Sequence, residues 1–378
     1  MKYRPFGKLD WQGSALGFGC MRFPTTGSSQ DIDYPEAIKM LRHAIDQGVN
    51  YADTAYGYHG GDSEHLVGEA LKDGYRDRVK LATKLPTWLV KGRDDFDRLL
   101  NEQLSKLQTN HIDMYLLHAL NKDRWALMKE LDVFSWTERA MQDGRIGCLG
   151  FSFHDEYDVF EDIVTSYDGW AFTQIQYNYM DEENQAGTKG LELAAKHGLA
   201  VIAMEPLLGG NLVNPPDAIG NLWNSAVKKR SPADWALQWL WSKPEVSIIL
   251  SGMSTMEQVE QNLISADNSE IDLLSEKELD LVVQVKETYE QIRPIACTDC
   301  QYCMPCPSGV AIPENLNLYN VGYMYNMMDR QKGQYKNMDE EKRAEQCTQC
   351  LECEDKCPQK IIISEWMQCI GDEMEAKA

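Results

Sequence analysis

Four residues have the types that proton transfer to an oxygen requires: Asp53, Tyr58, Lys84 and His118. They stand at the ends of three short apolar runs, in NYADTAYGY, KLATK and MYLLH. An unperturbed phenol titrates near ~10, so Tyr58 needs tuning before it can serve as an acid. A lysine such as Lys84 stabilises a phenolate and lowers that value. A carboxylate such as Asp53 holds the lysine by a charge-assisted hydrogen bond. His118 can donate to the substrate oxygen and orient it. A buried Asp–Lys pair with no chemistry is the plainer alternative.

The second group is cysteine. Of 11 cysteines, 9 lie after residue 296. CTQCLECEDKCP, residues 347–358, has the C-x2-C-x2-C-x3-C-P spacing of a bacterial ferredoxin. CTDCQYCMPCPSGVAIP, residues 297–313, repeats it with a last gap of two residues, Met304 and Pro305. Two such runs predict two 4Fe-4S clusters. Zinc would need only four ligands per ion and has no use for the terminal Cys-Pro. In such runs the fourth cysteine ligates the other cluster. One cluster is therefore expected on Cys297, Cys300, Cys303 and Cys357, the other on Cys347, Cys350, Cys353 and Cys306. The short gap sets Cys306 apart as the least certain ligand. Cys20, Cys148 and Cys369 are expected to be spare buried thiols.

These groups need elements to position them. The chain has 378 residues, 43% hydrophobic and 25% charged, a globular composition. Its net charge of −22, from 37 basic and 59 acidic residues, argues against nucleic acid or an anionic membrane as partner. No apolar run reaches the ~20 residues of a membrane span, and no signal peptide is evident, so a cytoplasmic location is expected. Cytoplasmic thiols stay reduced, which favours metal over disulfides.

Up to about residue 265, short apolar runs alternate with stretches of helical periodicity. The predicted strands are 15–19, 50–53, 79–84, 114–118, 148–152, 173–176, 200–204 and 248–251. PEAIKMLRHAIDQG and DFDRLLNEQLSKLQ read as helices, the second with Leu99, Leu100, Leu104 and Leu107 on one face. Eight such units predict an α/β fold, a (β/α)8 TIM barrel, over residues 1–290. The opening KYRPFGKLDWQG reads as a hairpin plugging the barrel bottom. Residues 270–293 read as a linking helix, and 291–378 as an α-helical ferredoxin-type domain with Leu316, Tyr319, Tyr323 and Met327 at helical spacing.

With GVNYADTAYGYHGGDSEHLVGEAL, the ATK of strand three, IDMYLLH, GRIGCLGFS, QIQYN and GMSTMEQVEQNL, residues 1–265 resemble the aldo-keto reductase family. With its tail, the chain looks like the branch of that family carrying a two-cluster ferredoxin domain. The resemblance implies a catalytic tetrad, which Asp53, Tyr58, Lys84 and His118 match. It also implies an NAD(P)H cofactor, with Ser152 and Gln174 on the nicotinamide carboxamide. Phe153 and His154 stand where the family usually has Asn, and Met204 and Glu205 where it often has an aromatic. Gly209 and Gly210 suit a loop passing close to a pyrophosphate. Gly252 and Gln258 replace the Lys and Arg that often meet a 2′-phosphate, while Asn262 is left for the adenine. With no cation in that loop, NADH is expected over NADPH.

The implied activity is hydride transfer between nicotinamide and a carbonyl or alcohol substrate. One alternative is an electron-transfer protein whose barrel, with or without a flavin, exchanges electrons with the clusters and a redox partner protein; a third reading makes the clusters structural. Trp88, Trp125 and Trp170 are candidate walls of the substrate pocket, with a barrel-surface or core role the equal alternative for each.

Overall fold

The computed structural model describes residues 1–28 and 30–375. Ten strands occur among them. β1 (Tyr3–Phe6) and β2 (Leu9–Ser14) form an antiparallel hairpin. β3 (Leu16–Gly19), β4 (Tyr51–Asp53), β5 (Lys80–Leu85), β6 (Ile112–Leu120), β7 (Ile146–Phe153), β8 (Phe172–Gln176), β9 (Ala200–Met204) and β10 (Val246–Gly252) close a parallel barrel in chain order, β10 pairing with both β9 and β3. Every predicted strand is present, with ends displaced by at most a few residues.

The strands are almost wholly buried, as expected where a parallel sheet is covered on both faces. Helices Tyr34–Asp46 and Asp94–Lys106 cover the outside, the first capped by the Asp33 carboxylate on the Glu36 amide at 3.2 Å. On the second, Leu99, Leu100 and Leu107 are buried while Leu104 is only half-buried. The hairpin does plug one end. Phe6 is fully buried among Tyr51, Phe172 and Ile248, and Gly7, at φ +54°, leaves no room for a side chain against the Ala200 amide. With that end filled, the carboxyl ends of the strands are the open mouth, where barrel chemistry resides.

The chain forms two compact units, and their division differs from the expected one near residue 290. Residues 1–209 and 234–275 form the first; 210–233 and 276–378 form the second. The linking helix, Glu276–Gln291, packs with helix Asp217–Ser225 and so belongs with the tail. Periodicity marks a helix but not which neighbour covers its apolar stripe.

The second unit is helical after residue 276, as expected. The tyrosine-rich helix ends at Met324, so Met327 lies outside it and caps the next helix, Met328–Asn337. Ile295, Val310, Leu316, Tyr335, Ile363 and Ile370 form this unit's core, with Cys353 and Cys357 among them.

Candidate functional site

The register of the barrel brings the four candidate residues to one mouth. Asp53, last residue of β4, lies beside Ala82, two residues before Lys84 on β5. Lys84 pairs with Leu116, two residues before His118 on β6. Side chains two apart share a face. Asp53 and Lys84 therefore both point inward, with side chains 1% exposed. Tyr58 comes from the short 3-10 turn Tyr58–Gly61 after β4.

Lys84 Nζ is the hub. It donates to Asp53 Oδ1 at 2.5 Å, to the Thr54 carbonyl at 2.9 Å and to Tyr58 Oη at 3.1 Å. The His118 ring stands edge-on to Tyr58, with centroids 6.1 Å apart. Burial alone would lower the Lys84 pKa, but Asp53 and Tyr58 outweigh it and hold the ammonium charged. Burial raises the Tyr58 phenol above 10 even though Lys84 pulls it down, so Tyr58 is protonated at neutral pH. Burial, helped by Lys84, His154 and Arg124, holds His118 well below 6.5, so it is a neutral imidazole. Its Nδ1 is buried without a partner among the described residues.

The pair is also structural. Replacing Lys84 with Met leaves Asp53 as an uncompensated buried carboxylate, which costs ~3–5 kcal/mol. Denaturant unfolding of the holoprotein should show that loss, and the added change Asp53→Asn should recover part of it. An equal loss in the single and double variants would contradict this.

Residues assigned to the nicotinamide join the same network. Gln174 donates from Nε2 to Asp53 Oδ2 at 2.5 Å and to Tyr51 Oη at 3.2 Å. Its Oε1 is fully buried and has no partner among the described residues. A buried lone acceptor is costly unless something donates to it, and a carboxamide N–H would. Ser152 Oγ accepts from the Ala119 amide at 2.7 Å and keeps its own proton to donate. Met204 is half-buried at the end of β9, and its carbonyl accepts from Tyr177 N at 3.2 Å. Phe153 is fully buried, whereas His154 lies near Glu205 and Arg124, its pKa lowered chiefly by burial.

Gly209 and Gly210 both have left-handed φ, +65° and +97°, in the turn after β9, which is a reason for glycine there. Gln258 and Asn262 are otherwise engaged. Gln258 Oε1 accepts from the Ser254 amide at 2.8 Å, while its own amide donates to the capping hydroxyl of Thr255. Asn262 is buried and donates to Ser251 Oγ at 3.0 Å. The expectation that this end of the site lacks a cation is corrected. Arg22, in the loop after β3, lies against Gly252. The loop after β10 itself carries no Lys or Arg, and Arg22 comes from the loop after β3.

Of the tryptophans, only Trp88 reaches the site. It is 43% exposed, 5.0 Å from the His118 ring, with the Arg124 guanidinium over its ring at 5.6 Å. Trp125 and Trp170 are buried against each other and Phe134, so they are core, not pocket wall.

In the tail, the eight cysteines gather into two groups around two hollows. Cys297, Cys300, Cys303 and Cys357 line one. Cys306, Cys347, Cys350 and Cys353 line the other. Such a set of four thiols suits a cubane cluster. Burial raises Cys353 to about 11 and also raises Cys297 and Cys303. No cysteine is in a disulfide. Cys20 is fully buried beside Asp53, while Cys148 and Cys369 are half-buried rather than fully enclosed.

A family model described as "Aldo/keto reductase family" matches residues 15–287, and one described as "4Fe-4S dicluster domain" matches residues 296–362. The "Uncharacterized oxidoreductase YqkF" of Bacillus subtilis is 25% identical over 300 residues, 71% of this chain and 92% of that protein. Among solved structures, the holo form of an aldo-keto reductase from Bacillus halodurans superposes with a TM-score of 0.63 at 25% identity, covering 75% of this chain and 96% of its own. An aldo-keto reductase from Klebsiella pneumoniae in complex with NADPH gives 0.62 at 27% identity, covering 75% and 95%. No helix among the described residues is long and apolar enough to cross a membrane.

Proposed function

This chain belongs to the aldo/keto reductase family and carries a C-terminal 4Fe-4S dicluster domain, and from that premise we propose that its barrel reduces a carbonyl substrate with NADH or NADPH, and runs the reverse oxidation of an alcohol. The observation that carries this is Tyr58 Oη at 3.1 Å from a charged, buried Lys84 Nζ, in one network with the lone acceptor of Gln174.

A bound reduced nicotinamide supplies the hydride. Gln174 Oε1 and Ser152 Oγ would hold its carboxamide, fixing which ring face meets the substrate. His118, neutral, donates to the substrate oxygen without adding a buried charge. As that oxygen gains negative charge, the proton on Tyr58 Oη passes to it. Lys84, locked by Asp53, stabilises the phenolate left behind. Trp88 and Arg124 form the outer wall beside His118. An NADH preference no longer follows from the loop after β10, because Arg22 brings a cation to Gly252.

The direction of the Tyr58 shift sets a pH signature. Reduction uses the protonated phenol, which persists below a pKa raised above 10, so its kcat should be flat across neutral pH. Oxidation needs the phenolate and should rise about tenfold per pH unit through the alkaline range below that pKa. Steady-state rates in both directions test this, and a reduction rate that falls steeply between about pH 6 and 8 would contradict an acid of this kind.

In the tail we assign one cluster to Cys297, Cys300, Cys303 and Cys357 and the other to Cys347, Cys350, Cys353 and Cys306, supported by the two hollows. The decisive first experiment is anaerobic purification followed by nucleotide oxidation against a panel of aldehydes and ketones. No turnover in fully clustered protein would sink the reductase proposal. Clusters that bleach on adding NADH or NADPH alone would favour the electron-transfer alternative.

A further inference from the structure

We infer that Arg22, from the loop after the first barrel strand, is the cation that meets the phosphate groups of the dinucleotide. This rests on the nicotinamide reading of the barrel. Gly252 closes β10, and a Cβ there would come within 2.8 Å of Arg22 Cγ and 3.0 Å of Arg22 Cβ. The glycine therefore makes room for the arginine stem across the mouth of β3 and β10, which are paired neighbours. The other end of the side chain reaches the loop after β9: Arg22 Nη2 lies 3.8 Å from where a Cβ on Gly209 would stand. In barrels of this kind, phosphate is commonly held between the loops after strands seven and eight. Those strands are β9 and β10, so Arg22 spans that place.

Three observations show a placed residue rather than a trailing surface arginine. Its carbonyl accepts from Ser254 Oγ at 2.8 Å, tying it to the loop after β10. The next amide, Phe23 N, donates to His59 Nε2 at 3.3 Å, and the Phe23 ring is buried. Its guanidinium, exposed, has no ion-pair partner among the described residues, although acidic residues outnumber basic ones in the chain, 59 to 37. An arginine fork suits phosphate oxygens, and it can replace a lysine offered from the opposite loop. Charge and glycine have in effect exchanged places: the side chain expected on strand eight arrives from loop one.

The test is direct binding, not turnover. Dissociation constants of anaerobically purified holoenzyme for NADH and for NADPH are measured by nicotinamide fluorescence, at low and high salt. Arg22→Ala is expected to weaken binding about 10–100-fold, the scale of a lost charge-assisted contact, and to flatten the salt dependence. An equal loss for both nucleotides puts Arg22 on the pyrophosphate, and a larger loss for NADPH puts it on the 2′-phosphate. The double variant R22A/G252K returns a cation from strand eight into the vacated space and should recover most of the affinity. Unchanged constants for both nucleotides in Arg22→Ala overturn the assignment to Arg22 alone. Wild type that binds neither nucleotide overturns the nicotinamide reading with it.

Discussion

Tyr58→Phe should lower kcat for carbonyl reduction by about 10²–10⁴-fold, the contribution of a positioned general acid. The ring is half-buried and the change deletes one oxygen, so packing survives. What goes is the proton on Oη and the acceptor 3.1 Å from Lys84 Nζ. Lys84 keeps Asp53 and the Thr54 carbonyl as partners, so its charge stays compensated and stability should change little. Cofactor dissociation constants should be unaltered, because the residues set against the carboxamide, Ser152 and Gln174, hang on Ala119, Tyr51 and Asp53 rather than on Tyr58. The loss should therefore fall on kcat with KM and Kd almost unmoved, the signature of an interaction made only in the transition state. Wild-type reduction rates in this variant would falsify the assignment of Tyr58. The variant should also lose the alkaline rise in the oxidation direction, since no other phenol shares the Lys84 hub.

The second large effect concerns the tail, where pairs of cysteine substitutions separate crossed from uncrossed ligation. Cys306→Ala alone should remove about half of the iron and half of the cluster absorbance, a loss of one cubane. Adding Cys350→Ala should cost little more, because both thiols line the same hollow. Adding Cys300→Ala instead should remove almost all the iron, because that thiol lines the other hollow. The reverse pattern, with Cys306 and Cys300 losing together only half, would show that each run holds its own cluster. A fold consequence follows. Cys353 and Cys357 lie in the hydrophobic core of the helical unit. A cluster bound there stabilises the folded form, and its loss should lower the unit's thermal midpoint.

Much of this molecule was readable in the chain. The eight barrel strands were legible because each is a short apolar run between helical stretches, and buried parallel strands have that pattern. The tetrad was legible because Asp53, Lys84 and His118 end their runs and Tyr58 follows closely. The cysteine groups were legible because cluster ligation imposes spacing directly on the sequence. Other points the chain left open. Trp125 and Trp170 stood between pocket wall and core, because large aromatics serve both alike, and only packing against Phe134 tells them apart. Helix Glu276–Gln291 packs within the second compact unit, and its periodicity alone does not say which partner buries it.

Asp53, Tyr58, Lys84 and His118, with the two cysteine runs, were determined by sequence alone, since the chemistry fixes residue types and the strands fix their spacing. The surroundings of Arg22, Gln174 and Cys306 came only with the tertiary structure. Barrel closure sets β3 beside β10 and so delivers Arg22 to Gly252, from a position more than two hundred residues away in the chain. The same closure joins Gln174 to Asp53 across 121 positions and leaves its Oε1 unpaired. Folding of the helical unit carries Cys306 to the thiols of the second run despite the short gap before it. Charge and hydrogen-bonding capacity act through space over a few ångströms. A loop-by-loop reading therefore finds which groups exist but not which of them meet.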